Sequence, residues 1–142
     1  MYFVTGGSFN GKRKWVNDSF LHNNPEYTWF SFFDGDVETI ETTAATVVLE
    51  GLEYAIRSSL HLPAEDIREK FKHRMSSLLQ WEQDVQGRKV IWIGSEIGKG
   101  IVPVDAADRK WRDVTGWIYQ DLADMAQEVW VVWYGIGTPI KR

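Results

Sequence analysis

The chain has no cysteine among its 142 residues. That excludes a structural disulfide, a thiolate metal centre and a cysteine nucleophile. It also suits the cytoplasm, where the protein is expected to work. Long hydrophobic runs are missing too, and the apolar stretches present are far too short to span a bilayer. No basic segment followed by a long apolar one opens the sequence, so no signal peptide is expected. Basic charge is not in excess: 16 Lys and Arg face 20 Asp and Glu, a net charge of −4. With a pI near 5.4, this argues against nucleic acid or an anionic membrane as a partner. Histidine is sparse, limited to His22, His61 and His73. Repeats, low-complexity tracts and linkers are absent, so residues 1–142 are expected to form one domain.

What is present is an ordinary globular composition, 44% apolar and 25% charged, with an unusual eight Trp. Most Trp sit in periodic segments, which favours packing, although a large flat ligand can use one or two of them. Short apolar runs predict strands over 2–5, 28–33, 45–49, 89–94 and 128–134. A final extended piece follows over 138–141. Helical spacing links Trp15, Val16 and Phe20 over 11–22, then Leu52, Ile56 and Leu60. Pro63 opens a further helix with Ile67, Phe71, Leu78 and Val85 on one face and Gly87 at its end. Asp105 is the expected N-cap of a helix carrying Trp111, Val114, Ile118, Leu122 and Met125. Strands thus alternate with helices and read as near-continuous apolar runs. That pattern predicts a three-layer α/β domain with a mostly parallel sheet. The tight turn at Gly135–Gly137 predicts an antiparallel C-terminal edge strand.

The most specific local signal is Gly6-Gly7-Ser8-Phe9-Asn10-Gly11-Lys12-Arg13. It fits G-x-x-x-x-G-K and lacks only the closing Ser or Thr. Between a strand and a helix, such a loop aims backbone N–H groups at an anion. Its lysine then reaches the β- and γ-phosphates. Residues 6–13 are therefore the candidate nucleotide-binding loop of a P-loop NTPase-like domain, and Lys12 a candidate catalytic residue. ATP or GTP is the expected ligand. Mg²⁺ is a candidate partner, but its usual Ser/Thr ligand is replaced by Arg13, which cannot bind a cation. The guanidinium is free to contact a phosphate or to point into solvent.

Glu50 closes the third strand in the manner of a Walker-B acid. It is a second catalytic candidate, for a metal-bound water or an attacking hydroxyl, or else a solvated strand end. Asp34 and Asp36 follow the second strand at the edge where ligands of open α/β sheets bind. Glu96 ends the fourth strand at the same edge, with Arg112 on the following helix. These four are candidates for a metal or substrate. Plain alternatives are a turn for the aspartates and a surface ion pair between Arg112 and Asp113.

The chain resembles a known family at both ends. Val4-Thr-Gly-Gly7 with Gly11-Lys12 looks like the opening of the adenosylcobinamide kinase/adenosylcobinamide-phosphate guanylyltransferase family. Ser95-Glu96-Ile97-Gly98-Lys99-Gly100-Ile101-Val102-Pro103 is similar to that family's N-E-V-G-x-G-I-V-P loop. Arg109-Lys110-Trp111-Arg112-Asp113-Val114-Thr115-Gly116 resembles its R-x-F-R-D-x-x-G helix, with Gln120 and Ala123 in the continuation. The run from Glu128 to Gly137, and Lys141 beyond it, resembles its last strand and tail.

The resemblance implies a P-loop domain that assembles as a trimer. It also implies two activities of cobalamin assembly on one nucleotide site. One phosphorylates the hydroxyl of adenosylcobinamide; the other transfers GMP from GTP through a guanylylated histidine. Family members carry a longer segment between the second and third strands, with that histidine in an R-I-x-x-H setting. Here the segment between Phe33 and Thr46 is short and holds no histidine, and Tyr119 stands where the family has Asn. The alternatives are thus a nucleotide-dependent corrinoid kinase, a catalytically degenerate paralogue that binds nucleotide or corrinoid, and a structural or interaction domain that binds no nucleotide.

Overall fold

A computed structural model describes residues 1–24, 26–98 and 104–142. In chain order the elements are β1 (Tyr2–Thr5), α1 (Lys12–Val16), β2 (Tyr27–Ser31), β3 (Thr46–Glu50), α2 (Leu52–Arg57), α3 (Ala64–Asp84), β4 (Lys89–Ile93), α4 (Ala106–Met125), β5 (Glu128–Trp133) and β6 (Ile136–Lys141). One sheet runs β2-β3-β4-β1-β5-β6. All neighbours pair in parallel except β5 and β6, which are antiparallel. This is the expected three-layer P-loop NTPase-like α/β architecture, with its antiparallel edge at the C-terminus.

Period-two alternation divides the core between the two faces of the sheet. Phe3, Val47, Leu49, Val90 and Trp92 point to one side, where α2, α3 and α4 cover them. Val4, Val48, Ile91 and Ile93 point to the other, against Val16 and Leu21. On that side α1 runs on into a wider π-helical turn, Asn17–Leu21. Of the eight Trp, Trp92 is fully buried and Trp117 and Trp133 are exposed. The tryptophans therefore serve mainly in the outer packing shell.

Element ends differ from the sequence reading in places that matter. β3 extends one residue further, so Glu50 belongs to the strand, and Gly51 turns the chain in the left-handed region at φ 88°. α2 ends at Arg57, which leaves Leu60 in the following turn, although it still packs on the core. α3 ends at Asp84, and Val85 adopts an extended conformation and is 48% exposed. The expected apolar face of α3 is completed by Met75 instead of Val85. Beyond Val85 the chain turns toward β4 through Gly87, at φ 95°. Asp105 caps α4 as expected, accepting from the backbone N–H groups of Ala107 and Asp108.

These assignments separate two apolar residues of the sequence-level α3 stripe. Phe71→Ala removes a fully buried ring and is expected to cost about 3–5 kcal/mol in urea unfolding. Val85→Ala is expected to change stability by less than about 0.5 kcal/mol. Equal losses at the two positions would contradict the helix end at Asp84.

Candidate functional site

The loop after β1 is held in shape by contacts only glycine permits. A Cβ on Gly6, at φ 141°, would stand 2.1 Å from the Val132 carbonyl oxygen of β5. At Gly11, φ 84°, the backbone passes close to Gly135 of the β5–β6 turn. The loop is also stapled to that turn: Gly135 N donates to Asn10 O at 2.8 Å, and Tyr134 N to Asn10 Oδ1 at 3.1 Å. Phe9, at φ 60°, is fully exposed at its tip. Lys12 is buried and folds back, its ammonium donating to Gly7 O at 2.8 Å. Burial lowers its pKa, while Glu53 and Glu50 pull it back up.

The loop faces a cavity of about 520 Å³ at the C-terminal ends of the strands. Of the sequence candidates, Ser8, Phe9, Asn10, Gly11, Lys12, Arg13 and Glu50 line it. Gly6 and Gly7 form the approach to it from β1. The Arg13 side chain, although 61% exposed, is turned onto Glu50. Its Nε donates to Glu50 Oε2 at 3.2 Å and one Nη to Oε1 at 2.5 Å. Trp29 Nε1 also donates to Oε1, at 3.2 Å, and the guanidinium carbon lies 5.7 Å from the Trp29 ring. This hydrogen-bonded carboxylate raises the Arg13 pKa further.

Sequence reasoning missed Glu53, which lines the same cavity from the first turn of α2, three residues after Glu50. It is 3% exposed, and its Oε1 has no hydrogen-bond partner. Burial raises its pKa, against hydrogen bonds from its own and the Ser95 backbone, the Ser95 side chain and the charge of Lys12. The Glu-Gly-Leu-Glu spacing was the available signal, but a charged residue in a short helix reads as solvated. Two exposed aromatics, Phe33 and Tyr54, form the cavity's rim with ring centroids 5.4 Å apart. Ser95 is held at the opposite wall, its carbonyl accepting from Tyr119 at 2.8 Å. Tyr119 is partly buried, and burial around its hydroxyl, with the charges of Glu53 and Glu96, pushes its pKa well up.

The remaining candidates lie elsewhere. Asp36 is clamped against α3 by Arg74, at 2.6 Å, and Lys70, at 3.3 Å. Asp34 is an exposed turn residue outside the cavity lining. Glu96 and Arg112 line a second cavity of about 310 Å³ across β1, with the unpartnered buried hydroxyls of Thr5 and Thr115. Glu96 accepts from Gly98 N at 2.6 Å, and Arg112 pairs with Asp113 at 3.1 Å. The rest of that glycine loop, 99–103, falls outside the described residues.

The residues present do not fit the magnesium ion expected beside a P-loop. Arg13 occupies the hydroxyl position and has no lone pair to offer. Glu50 is already engaged by three N–H donors. Among the described residues there is no group of three carboxylate or imidazole side chains that could hold a metal. No described helix is long and apolar enough to cross a membrane.

Comparison with known proteins locates the chain. The family described as cobinamide kinase / cobinamide phosphate guanyltransferase matches residues 31–140. That match takes in Glu50, Glu53, Glu96 and Arg112 and begins beyond the 6–13 loop. The bifunctional adenosylcobalamin biosynthesis protein CobU of Escherichia coli is 47% identical over 53 residues, 37% of this chain and 29% of that protein. CobU of Salmonella typhimurium aligns to the same extent. CobP of Pseudomonas aeruginosa, a bifunctional protein of the same description, is 31% identical over 65 residues, 46% of this chain and 37% of its own length. The matched stretch thus spans well under half of each of these relatives.

Glu53 gives the fold a pH dependence. Its folded pKa is raised, so below the ordinary carboxyl value of 4.5 it is protonated in both states and costs nothing. As pH rises from there through the folded pKa, stability falls, and then levels. Glu53→Gln is therefore expected to raise the melting temperature near neutrality and to leave it unchanged in acid. A pH series of thermal melts checks this; a gain of equal size at every pH would contradict it.

Proposed function

The chain belongs to the cobinamide kinase / cobinamide phosphate guanyltransferase family, and from that premise we propose that it holds a nucleoside triphosphate on the loop of residues 6–13. The observation that carries this reading is the cavity at the strand ends, where that loop, Lys12 and Arg13 converge. Backbone N–H groups of the loop receive the phosphates. Lys12 exchanges its bond to Gly7 O for a phosphate oxygen, a stronger charge-assisted pair. ATP and GTP are the ligands proposed. Phe33 and Tyr54 at the rim offer edges and faces for a flat second ligand. A corrinoid alcohol of the adenosylcobinamide type is the partner proposed by family. Assembly as a homotrimer in the cytoplasm is proposed on the same ground.

A second reading, phosphoryl transfer, is favoured by Glu53. A substrate hydroxyl in the cavity would attack the γ-phosphorus and give its proton to the Glu53 carboxylate, whose basicity burial increases. The bond from the γ-phosphorus to the β,γ-bridging oxygen breaks, and the nucleoside diphosphate leaves with Lys12 and Arg13 balancing its charge. Guanylyl transfer through histidine has no such support: His22, His61 and His73 are all exposed and none lines this cavity.

Both readings predict that Lys12→Ala lowers ATP and GTP affinity by about tenfold or more in calorimetry, the loss of one bond to a charged group. Unchanged affinity would reject the loop as the nucleotide site. Incubation of adenosylcobinamide with γ-labelled ATP or GTP separates the two readings. Labelled corrinoid that disappears with Glu53→Gln supports transfer; binding without turnover supports the binding role.

A further inference from the structure

We propose that Arg13 is the built-in cation of this site, so that a nucleoside polyphosphate binds here without a divalent metal. The inference rests on the nucleotide reading above and adds the source of the counter-charge. Three features of the structure carry it.

The first is the state of Glu50. Both of its oxygens accept from Arg13, at 3.2 Å and 2.5 Å, and Oε1 accepts again from Trp29 Nε1. A carboxylate has about four lone-pair positions, so little of it is left to hold a metal or the water around one. The acid is itself buried, 10% exposed at its side chain, and cannot swing into solvent for a second partner. The second feature is the guanidinium. Its two donors toward Glu50 fix its plane, and the Trp29 ring, 5.7 Å away, backs it. Among the described residues its remaining Nη makes no hydrogen bond. The Arg13 side chain is 61% exposed and lines the cavity next to Lys12. It thus presents a positioned charge and free N–H groups where phosphate oxygens would lie, the planar fork that suits phosphate. The third is repulsion. A divalent ion placed near Glu50 would sit beside a fixed positive charge, with twice the penalty of a monovalent one.

Glu50 and Trp29 therefore act on the ligand through Arg13. They hold a guanidinium that does the work a metal and a Ser or Thr hydroxyl share in an ordinary phosphate loop. Lys12 and Arg13, adjacent in the first turn of α1, together flank the polyphosphate.

Titration calorimetry of the full chain with ATP and with GTP, in EDTA and again in excess Mg²⁺, tests this. The wild type is expected to bind in EDTA at least as tightly as in Mg²⁺, to within about threefold, because its counter-charge is covalent. Arg13→Ser is expected to lose about tenfold or more in EDTA, the value of a charge-assisted bond, and to recover when Mg²⁺ is added. Arg13→Lys keeps the charge and loses the fork, so it should fall between the two in EDTA. Circular dichroism melts of the three proteins confirm that each is folded. Wild-type binding that requires Mg²⁺ overturns the proposal and leaves the nucleotide site standing. So does Arg13→Ser binding in EDTA at wild-type affinity. No binding of either nucleotide in any condition overturns the nucleotide reading itself.

Discussion

The in-register pairing of three parallel strands governs everything at the proposed site. Glu50 of β3 pairs with Ile93 of β4, and Ile93 pairs with Val4 of β1. The three strands thus end at one level, and the segment after each strand is delivered to one edge of the sheet. From β1 comes the loop of residues 6–13, from β3 the acid and then Glu53, and from β4 Ser95. A slip of one residue in β3 would turn Glu50 to the opposite face and break the set. β3 and β4 are apolar and buried on both faces, so close packing against the layers on either side, not polarity, holds that register. The antiparallel hairpin of β5 and β6 then closes the loop from the side, through Val132, Tyr134 and Gly135.

On that frame, the residue that meets Glu50 is Arg13. The acid thus faces a cation belonging to the chain. The pair is half exposed, so its own contribution to stability is modest, on the order of 1 kcal/mol or less. Its weight is positional: it fixes a charge beside Lys12 and removes the acid from other duties. Glu53 is the only carboxylate at the cavity that keeps an unpartnered oxygen among the described residues. Catalytic readings of the site therefore turn on Glu53, and binding readings on Lys12 and Arg13. The short segment between β2 and β3 holds no histidine, and none of the chain's three histidines lines this cavity.

Much of this was legible from residues alone because each signal is local. The alternating pattern, the glycines of the loop and the turn at Gly135 encode strands, loop and edge hairpin without reference to distant contacts. Boundaries were less legible: Val85 continues the apolar spacing of α3, yet the helix ends at Asp84 and the chain turns through Gly87. The partners of charged side chains were hidden for a different reason. Asp36 sits at the right edge in sequence terms but is drawn to Arg74 and Lys70 of α3, a pairing that only tertiary packing creates. Arg13 reads as a missing ligand, and only the closeness of β3 and Trp29 shows what it does instead. Glu53 was invisible because nothing in a six-residue helix announces which face is enclosed.

The central claim is that backbone amides of the 6–13 loop wrap a polyphosphate at the entrance of α1. A crystal grown with a non-hydrolysable GTP analogue in EDTA tests it most directly. The account predicts phosphate density within hydrogen-bonding distance of the loop N–H groups, with Lys12 released from Gly7 and Arg13 still on Glu50. A collapsed, empty loop with the nucleotide bound at another place on the molecule would contradict it.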